Sequence, residues 1–336
     1  PDNGGQGDRM NNRRKLVIAL GVNILAAPFF CHAQRPEKIH IVGILAFGNA
    51  ASVGRLYEFF TQGLRKLGYV EGKNIAFERR FADGDPDRLA ALAAELVQKK
   101  VDVIFTPTTV SARAARQATA TIPIVFANVD DPVASGLIAS LARPGGNVTG
   151  TAVIQQELSA KRLQVLTEIS PKSSRIALVV SSEPQAAAQA TEIERAAKIL
   201  GVTVLPIRIG QRQEYGQELT RLRTWRANGL YVLATAENYN NRKLIAEFAD
   251  SARLPAIFPA KDYLDFGGLV SYGIDTQFMF HYVAGYVDKI LKGAKPADLP
   301  VEQPMRFEFA INMRTAKALG VKISNSILVR ADKVIE

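Results

Sequence analysis

The residues with chemistry to offer sit directly after short apolar runs. Phe47 follows Ile39–Ala46, and Thr106-Pro107-Thr108-Thr109 follows Val101–Phe105. The run from Ile122 leads into Asn128, Asp130 and Asp131-Pro132, and Arg175–Val180 leads into Ser182-Glu183-Pro184. Glu237, Asn238 and Tyr239 come after Gly229–Leu233, while Ser271 and Tyr272 end a run preceded by Asp262 and Tyr263. Together these side chains can bind a small polar solute. Thr108 and Thr109 offer hydroxyls and N–H groups at a helix start, which suits a carboxylate. Asp131 can accept hydrogen bonds from an ammonium, and Glu183 repeats its acidic-residue-before-proline arrangement. The ring of Phe47 can stack on an apolar or aromatic group, as can Tyr239 and Tyr272. Each also has a purely architectural use: the threonines and Asp131 can cap helices, and the aromatics can pack a core.

Catalytic patterns are missing. In GGLVSYG, Leu269 stands where the first glycine of a nucleophile elbow would be. Gly72-Lys73 lacks the rest of a phosphate loop, and Gly43 to Gly48 lacks dinucleotide-binding spacing. The single Cys and three His form no metal or haem motif. His40 starts a strand and His281 lies on a helix, so both read as structural. Asn147-Val148-Thr149 matches a glycosylation sequon, a pattern too short to carry weight. Lysines and arginines are dispersed rather than striped among aromatics, which argues against nucleic acid. The expectation is a binding protein with no catalytic residue, metal or cofactor.

The apolar runs themselves define the scaffold. Ile39–Ala46, Asn74–Phe81, Val101–Phe105 and Ile122–Val129 read as strands, alternating with helices from Ser52 (as cap) to Leu67, Asp87 to Gln98 and Ser111 to Thr119. Asp131 as cap and Pro132 as first residue predict another short helix. Arg143-Pro144-Gly145-Gly146-Asn147 then turns the chain. After an amphipathic bridge, Leu158–Ile169, the rhythm restarts with strands at 175–180, 203–209, 229–233, 255–258 and 268–272. Helices fall at 186–200, 214–225 and 240–252. Gln277–Leu291 is a helix that can pack back on the first half, followed by a strand at 306–311 and a helix at 314–319. Such alternation predicts an α/β protein with two similar lobes of parallel, doubly wound sheet. Ligands of such sheets bind at the carboxyl ends of the strands.

With 336 residues, 47% hydrophobic and 22% charged, the chain suits a globular protein of two lobes. Residues 1–9 read as sequence upstream of an export signal. Arg13-Arg14-Lys15 and the apolar stretch Leu16–Phe30 have signal-peptide form, with cleavage expected after Ala33. Lipid anchoring at Cys31 is disfavoured because Pro28-Phe29-Phe30 are bulky for that processing. Loss of residues 1–33 removes four basic and two acidic residues, lowering the formal charge from +10 to +8 and leaving no cysteine. No later segment is apolar enough to span a membrane.

The stretches IPIVFANVDDPVASGLIASLARPGGNVTG (122–150), ELSAKRLQVLTEISPKSSRIALV (157–179) and LPAIFPAKDYLDFGGLVSYG (254–273) resemble exported ABC-transporter solute-binding proteins, the family that includes the tryptophan/tyrosine binders. YVDKILKGAKPADLPVEQPMRFEFAINMRTAKALG (286–320) and RADKVIE (330–336) extend the resemblance along the chain. It implies a type I periplasmic-binding-protein fold, with two Rossmann-like lobes joined by a multi-strand hinge. Residues 34–151 with 276–296 would form lobe 1, and 152–275 with 297–336 lobe 2. Where similar sequences often carry glycines, this chain has Thr106-Pro107-Thr108-Thr109. The resemblance implies a periplasmic receptor that captures a small solute, an amino acid or related carboxylate, and delivers it to an inner-membrane permease. In that reading Thr108 and Thr109 hold the carboxylate and Asp131 the ammonium. The rivals are a sensor partner of a membrane kinase, an α/β enzyme, and the effector core of a transcription regulator. An enzyme would need a nucleophile or base, and a regulator a DNA-binding domain.

Overall fold

The computed structural model describes residues 38–153, 155–303 and 306–336, so the export signal read in residues 1–33 lies outside the described residues. The first lobe alternates strand and helix: β1 (His40–Ala46), α1 (Ala50–Lys66), β2 (Ile75–Phe81), α2 (Pro86–Gln98), β3 (Val103–Thr106), α3 (Thr109–Ala118), β4 (Ile124–Asp130) and β5 (Val148–Val153). Its five strands are parallel in the order β2-β1-β3-β4-β5. The second lobe begins with α4 (Gln155–Ile169), β6 (Arg175–Val180), α5 (Gln185–Leu200), β7 (Thr203–Arg208), α6 (Tyr215–Trp225) and β8 (Gly229–Val232). It continues through α7 (Ala236–Asn240), α8 (Arg242–Ser251), β9 (Ala256–Phe258) and β10 (Val270–Ile274). After α9 (Thr276–Leu291) come β11 (Phe307–Asn312), α10 (Met313–Leu319), α11 (Asn325–Leu328) and β12 (Lys333–Ile335). The second sheet runs β12-β11-β10-β9-β8-β6-β7.

Each sheet buries apolar strands on both faces, as parallel sheets must. In the first lobe α1 and α9 cover one face, where Phe60 stacks on Phe105 at 4.0 Å and Phe280 meets Phe105 edge-on. The other face packs Leu89, Leu96, Ala112 and Ala115 from α2 and α3. In the second lobe α4 and α5 cover one face, while α6 and α8 cover the other. The helix α9 thus belongs by packing to the first sheet, although it follows β10 of the second. The segment after it stays there too, with Thr149 Oγ1 donating to the Leu299 carbonyl at 2.8 Å and Glu302 bridged to Thr151 beside β5.

Several local expectations need correction. β11 runs antiparallel to β10 because the chain has crossed to the first lobe and back, so it enters the second sheet from the opposite end. No helix follows Asp131; residues 131–145 form successive turns. Asp131 has φ +38°, and its carboxylate accepts from the Ala134 N–H at 2.9 Å, closing a tight turn instead of capping a helix. Gly136 at φ +71° and the Pro144-Gly145 pair prevent helical continuation. Asn49, rather than Ser52, caps α1; Ser52 returns the bond to the Asn49 N–H as the third residue of a capping box. The helix expected over 240–252 is α8, and a separate short helix, α7, precedes it.

β4 carries the irregularity that matters for the cleft. Its register with β5 shifts between Phe126 and Val129, and Asn128 takes φ +51°. Gly150 on β5 faces this bulge at φ +146°, where a Cβ would lie 2.0 Å from the Phe126 carbonyl oxygen.

Candidate functional site

The carboxyl ends of both sheets face each other across a cleft of about 970 Å³, its open mouth included. From the first lobe, Phe47 follows β1, Thr108 and Thr109 begin α3, and Asn128 and Asp130 end β4. From the second come Glu183 after β6, Tyr239 on α7 and Pro259 after β9. Phe280 of α9 and Leu56 of α1 add apolar lining to that of Phe47. Thus Phe47, Thr108, Thr109, Asn128, Glu183 and Tyr239 are brought together, from lobes that meet only through folding.

Three nominated residues lie elsewhere. Asp131 is exposed in its turn, while its neighbour Asp130 lines the cleft. Ser182 is exposed and donates from N and Oγ to the Glu237 carboxylate at 2.9 and 2.6 Å. Tyr272 stacks on Phe307 with ring centroids 6.1 Å apart, a contact made by its position beside β11. Conversely, Gln155, Gln185, Thr235 and Asn240 line the cleft without having been nominated. Gln155 and Asn240 were findable, since one opens the helix after β5 and the other adjoins Tyr239. The roles of Gln185 and Thr235 depend on how the lobes meet.

The polar groups are held by specific bonds. Thr108 caps α3, accepting from the Ser111 N–H at 3.4 Å and donating to Ser111 Oγ at 3.1 Å. Thr109 Oγ1 accepts from the Asp130 N–H at 3.3 Å, fixing the start of α3 against the end of β4. The Asp130 carboxylate spans the lobes, accepting from Gln155 N–H at 3.2 Å and Gln189 Nε2 at 3.4 Å. Burial raises its pKa, opposed by those two bonds; the charge of Asp131 adds to the rise and that of Arg162 opposes it. Behind Gln155 lies Arg162, only 1% exposed, which donates from Nη2 to Gln155 Oε1 at 2.9 Å and from Nε to the Tyr272 carbonyl at 2.7 Å.

Two glutamates at the second-lobe rim differ sharply. Burial would raise Glu237, but Ser182 and the Arg208 guanidinium, 3.1 Å away, together hold its pKa below the ordinary value. Glu183 is 8% exposed and accepts from the Glu237 N–H at 2.7 Å and from Gln185 Nε2. Its pKa is pushed up to about 7, first by burial and also by the Glu237 charge, against the pull of those bonds.

The lobes touch at the cleft mouth. Arg55 of α1 reaches Asp265 at 2.9 Å and Asp262 at 3.7 Å in the second lobe. Tyr239 packs against apolar clusters of both lobes, its ring capped by the Arg242 guanidinium at 4.6 Å. Its hydroxyl pKa is raised by burial and, secondarily, by the Asp262 charge.

Two lobes built on largely parallel sheets, with a cleft at their strand ends, define a binding protein of the type I periplasmic fold. Residues 41–335 match the family described as "ABC transporter substrate binding protein", and the chain belongs to that family. A "Tyrosine-binding protein" of Clostridioides difficile (strain R20291) is 29% identical over 288 residues, covering 85% of this chain and 82% of that protein. The structure of an ABC domain in complex with L-Trp from Streptococcus pneumonia matches at 26% identity and TM-score 0.80, covering 89% of this chain and all of that one. A ligand-free, open substrate-binding protein with adhesive properties from Clostridium difficile shares the same 26% identity, with TM-score 0.63 over 88% of this chain and 99% of that one. Among the described residues no helix is long and apolar enough to cross a membrane, and no cluster of His, Cys, Asp or Glu could hold a metal ion.

Proposed function

We propose that this protein is the exported receptor of an ABC importer and that its solute is an L-amino acid with an aromatic or large apolar side chain. The observation that carries this reading is the mixed lining of the cleft. It combines the apolar residues Phe47, Leu56 and Phe280 with polar groups at the start of α3 and the end of β4. The apolar residues would take the side chain, with Tyr239 among them. The unpaired N–H groups expected in the first turn of α3, with Thr108 and Thr109, would take the carboxylate, and Asn128 would complete that end. Asp131 passes its proposed role to Asp130, whose carboxylate lies in the cleft.

Similarity to a tyrosine binder and to an L-Trp complex supports the ligand class. The higher TM-score with that complex than with the open, ligand-free relative, at equal identity, supports a closed arrangement of lobes. The cross-lobe contacts of Arg55 and Asp130 support it as well. Solute binding would favour this closed form by touching both lobes at once, and the closed form would dock on a membrane permease. No chemical step is required, and delivery follows from reopening.

The test is calorimetry of ligand-stripped protein with L-Trp, L-Tyr, L-Phe, L-Leu, a sugar and a purine. Saturation at one hundred times Kd should add about 2.7 kcal/mol to stability. Binding of an aromatic amino acid, weakened by Phe47→Ala, is expected; preference for the sugar or purine would overturn the ligand class.

A further inference from the structure

Among the described residues Arg162 is the one Lys or Arg that is buried, and no carboxylate among them is in ion-pair contact with it. Its Nε donates to the Tyr272 carbonyl at 2.7 Å and its Nη2 to Gln155 Oε1 at 2.9 Å, both neutral acceptors. Its Nη1 has no hydrogen-bond partner among the described residues. The two bonded groups lie where the chain passes between the lobes. Gln155 opens α4 just after β5. Tyr272 stands near the end of β10, from which the chain returns to the first sheet through α9. At this junction Val153, Leu158, Ile274 and Met279 pack together, with Tyr272 against them.

Taking a guanidinium out of water is unfavourable without a counter-charge, and an apolar side chain on this helix would spare that cost. The anion that feels its charge is Asp130, at the end of β4 in the first lobe. Gln155 stands between the two: its N–H donates to Asp130 Oδ1 at 3.2 Å while its side chain accepts from Arg162. The other carboxylate oxygen accepts from Gln189 Nε2 at 3.4 Å. Gln189 is anchored in the second lobe by both backbone groups of Ala234, at 3.0 and 3.2 Å. We propose that Arg162 is a positioning residue for solute capture: its charge, relayed through Gln155, holds the Asp130 carboxylate of the first lobe onto the second. It thereby fixes both a polar part of the cleft lining and the junction on which the lobes turn. By bonding Gln155 and Tyr272 at once it also ties the outgoing chain to the returning one. Arg162 acts from behind the lining and has no need to touch the solute. This rests on the proposed capture of a solute in the cleft but not on which solute it is.

The test uses ligand-stripped full chain and calorimetry with L-Trp, L-Tyr, L-Phe, L-Leu, a sugar and a purine. The proteins are wild type, Arg162→Met, Arg162→Lys, Asp130→Asn and the double variant Arg162→Met/Asp130→Asn, and an apo melt checks that each folds. For the solute that wild type binds best, Arg162→Met should weaken binding by roughly 10- to 100-fold, the range for a buried charged hydrogen bond. Arg162→Lys keeps the charge without the fork and should stay within about fivefold of wild type. The double variant should bind within about twofold of the worse single one, because the same interaction is removed twice. A merely space-filling arginine predicts that Lys is as damaging as Met and that the losses at 162 and 130 multiply. Either result overturns the proposal, as does Arg162→Met within about twofold of wild type. Should Arg162→Met not fold, the other two single variants decide: a loss of about tenfold or more in Arg162→Lys, or none in Asp130→Asn, overturns it. Preference for the sugar or purine would overturn the amino-acid reading and leave the same comparisons, made with that solute, to judge Arg162. If nothing binds wild type, both readings fail.

Discussion

Glu183 makes the stability of the empty protein depend on pH in an unusual direction. Its pKa rises from 4.5 to about 7 on folding, led by burial. At 1.36 kcal/mol per unit this difference is worth about 3 kcal/mol. Because the folded state holds the proton more tightly, the stabilisation is complete below the unfolded pKa and disappears as pH rises through 7. Most of it therefore vanishes between pH 5 and pH 8, the opposite of the usual ion-paired carboxylate. For a chain of this size, roughly 2 °C per kcal/mol gives a fall of about 5 °C in Tm. The assay is thermal melting of ligand-stripped wild type and Glu183→Gln across that range, reading the difference between the two so that other titrating groups cancel. Wild type should lose about 5 °C relative to the variant on going from pH 5 to pH 8. A difference that stays flat with pH would refute the burial argument.

Arg55→Ala should weaken ligand binding by only about two- to fivefold, since the Arg55–Asp265 pair is half-exposed. Stopped-flow should show the change in dissociation rate, diminished at 1 M salt. Gly150→Ala should destabilise by at least about 3 kcal/mol in urea unfolding, given a Cβ only 2.0 Å from the Phe126 carbonyl oxygen. Gly54→Ala on α1, where a Cβ meets nothing within 4 Å, should instead stabilise by about 0.5–1 kcal/mol. Phe280→Ala, removing a 2%-exposed ring from the face shared with Phe105, should cost about 3–5 kcal/mol in the same assay.

The alternation of apolar runs and capped helices made both sheets legible, because strands buried on two faces must be continuously apolar and their helices must show a stripe. The cleft was legible to the extent that strand ends are: Phe47, Thr108, Thr109, Asn128, Glu183 and Tyr239 all fall there. What escaped was backbone detail. Asp131-Pro132 has the composition of a helix start, yet the φ of +38° at Asp131 and the bulge before it turn its carboxylate outward and leave Asp130 facing the cleft. Tyr272 was placed by proximity to a strand end, but alternation along β10 and the unforeseen antiparallel neighbour β11 give its ring to Phe307 and Phe309. Arg162 sits within an ordinary amphipathic helix, and nothing in one sequence separates a buried arginine from a surface one.

The position of α9 has a consequence for how the chain reaches this shape during synthesis. The first sheet is complete in sequence by Val153, but one face of it, covered in part by α1, is completed by side chains that arrive only with residues 276–291. Its last strand acquires the neighbour bonded to Thr149 later still, at Leu299. An emerging chain would therefore complete the second lobe's β6 to β10 before it could close the first. Such late closure keeps the nascent chain from locking early into a folded block. It also means that a fragment cut after β5 would lack the cover that Phe280, Val283 and Val287 give to Phe105 and its neighbours.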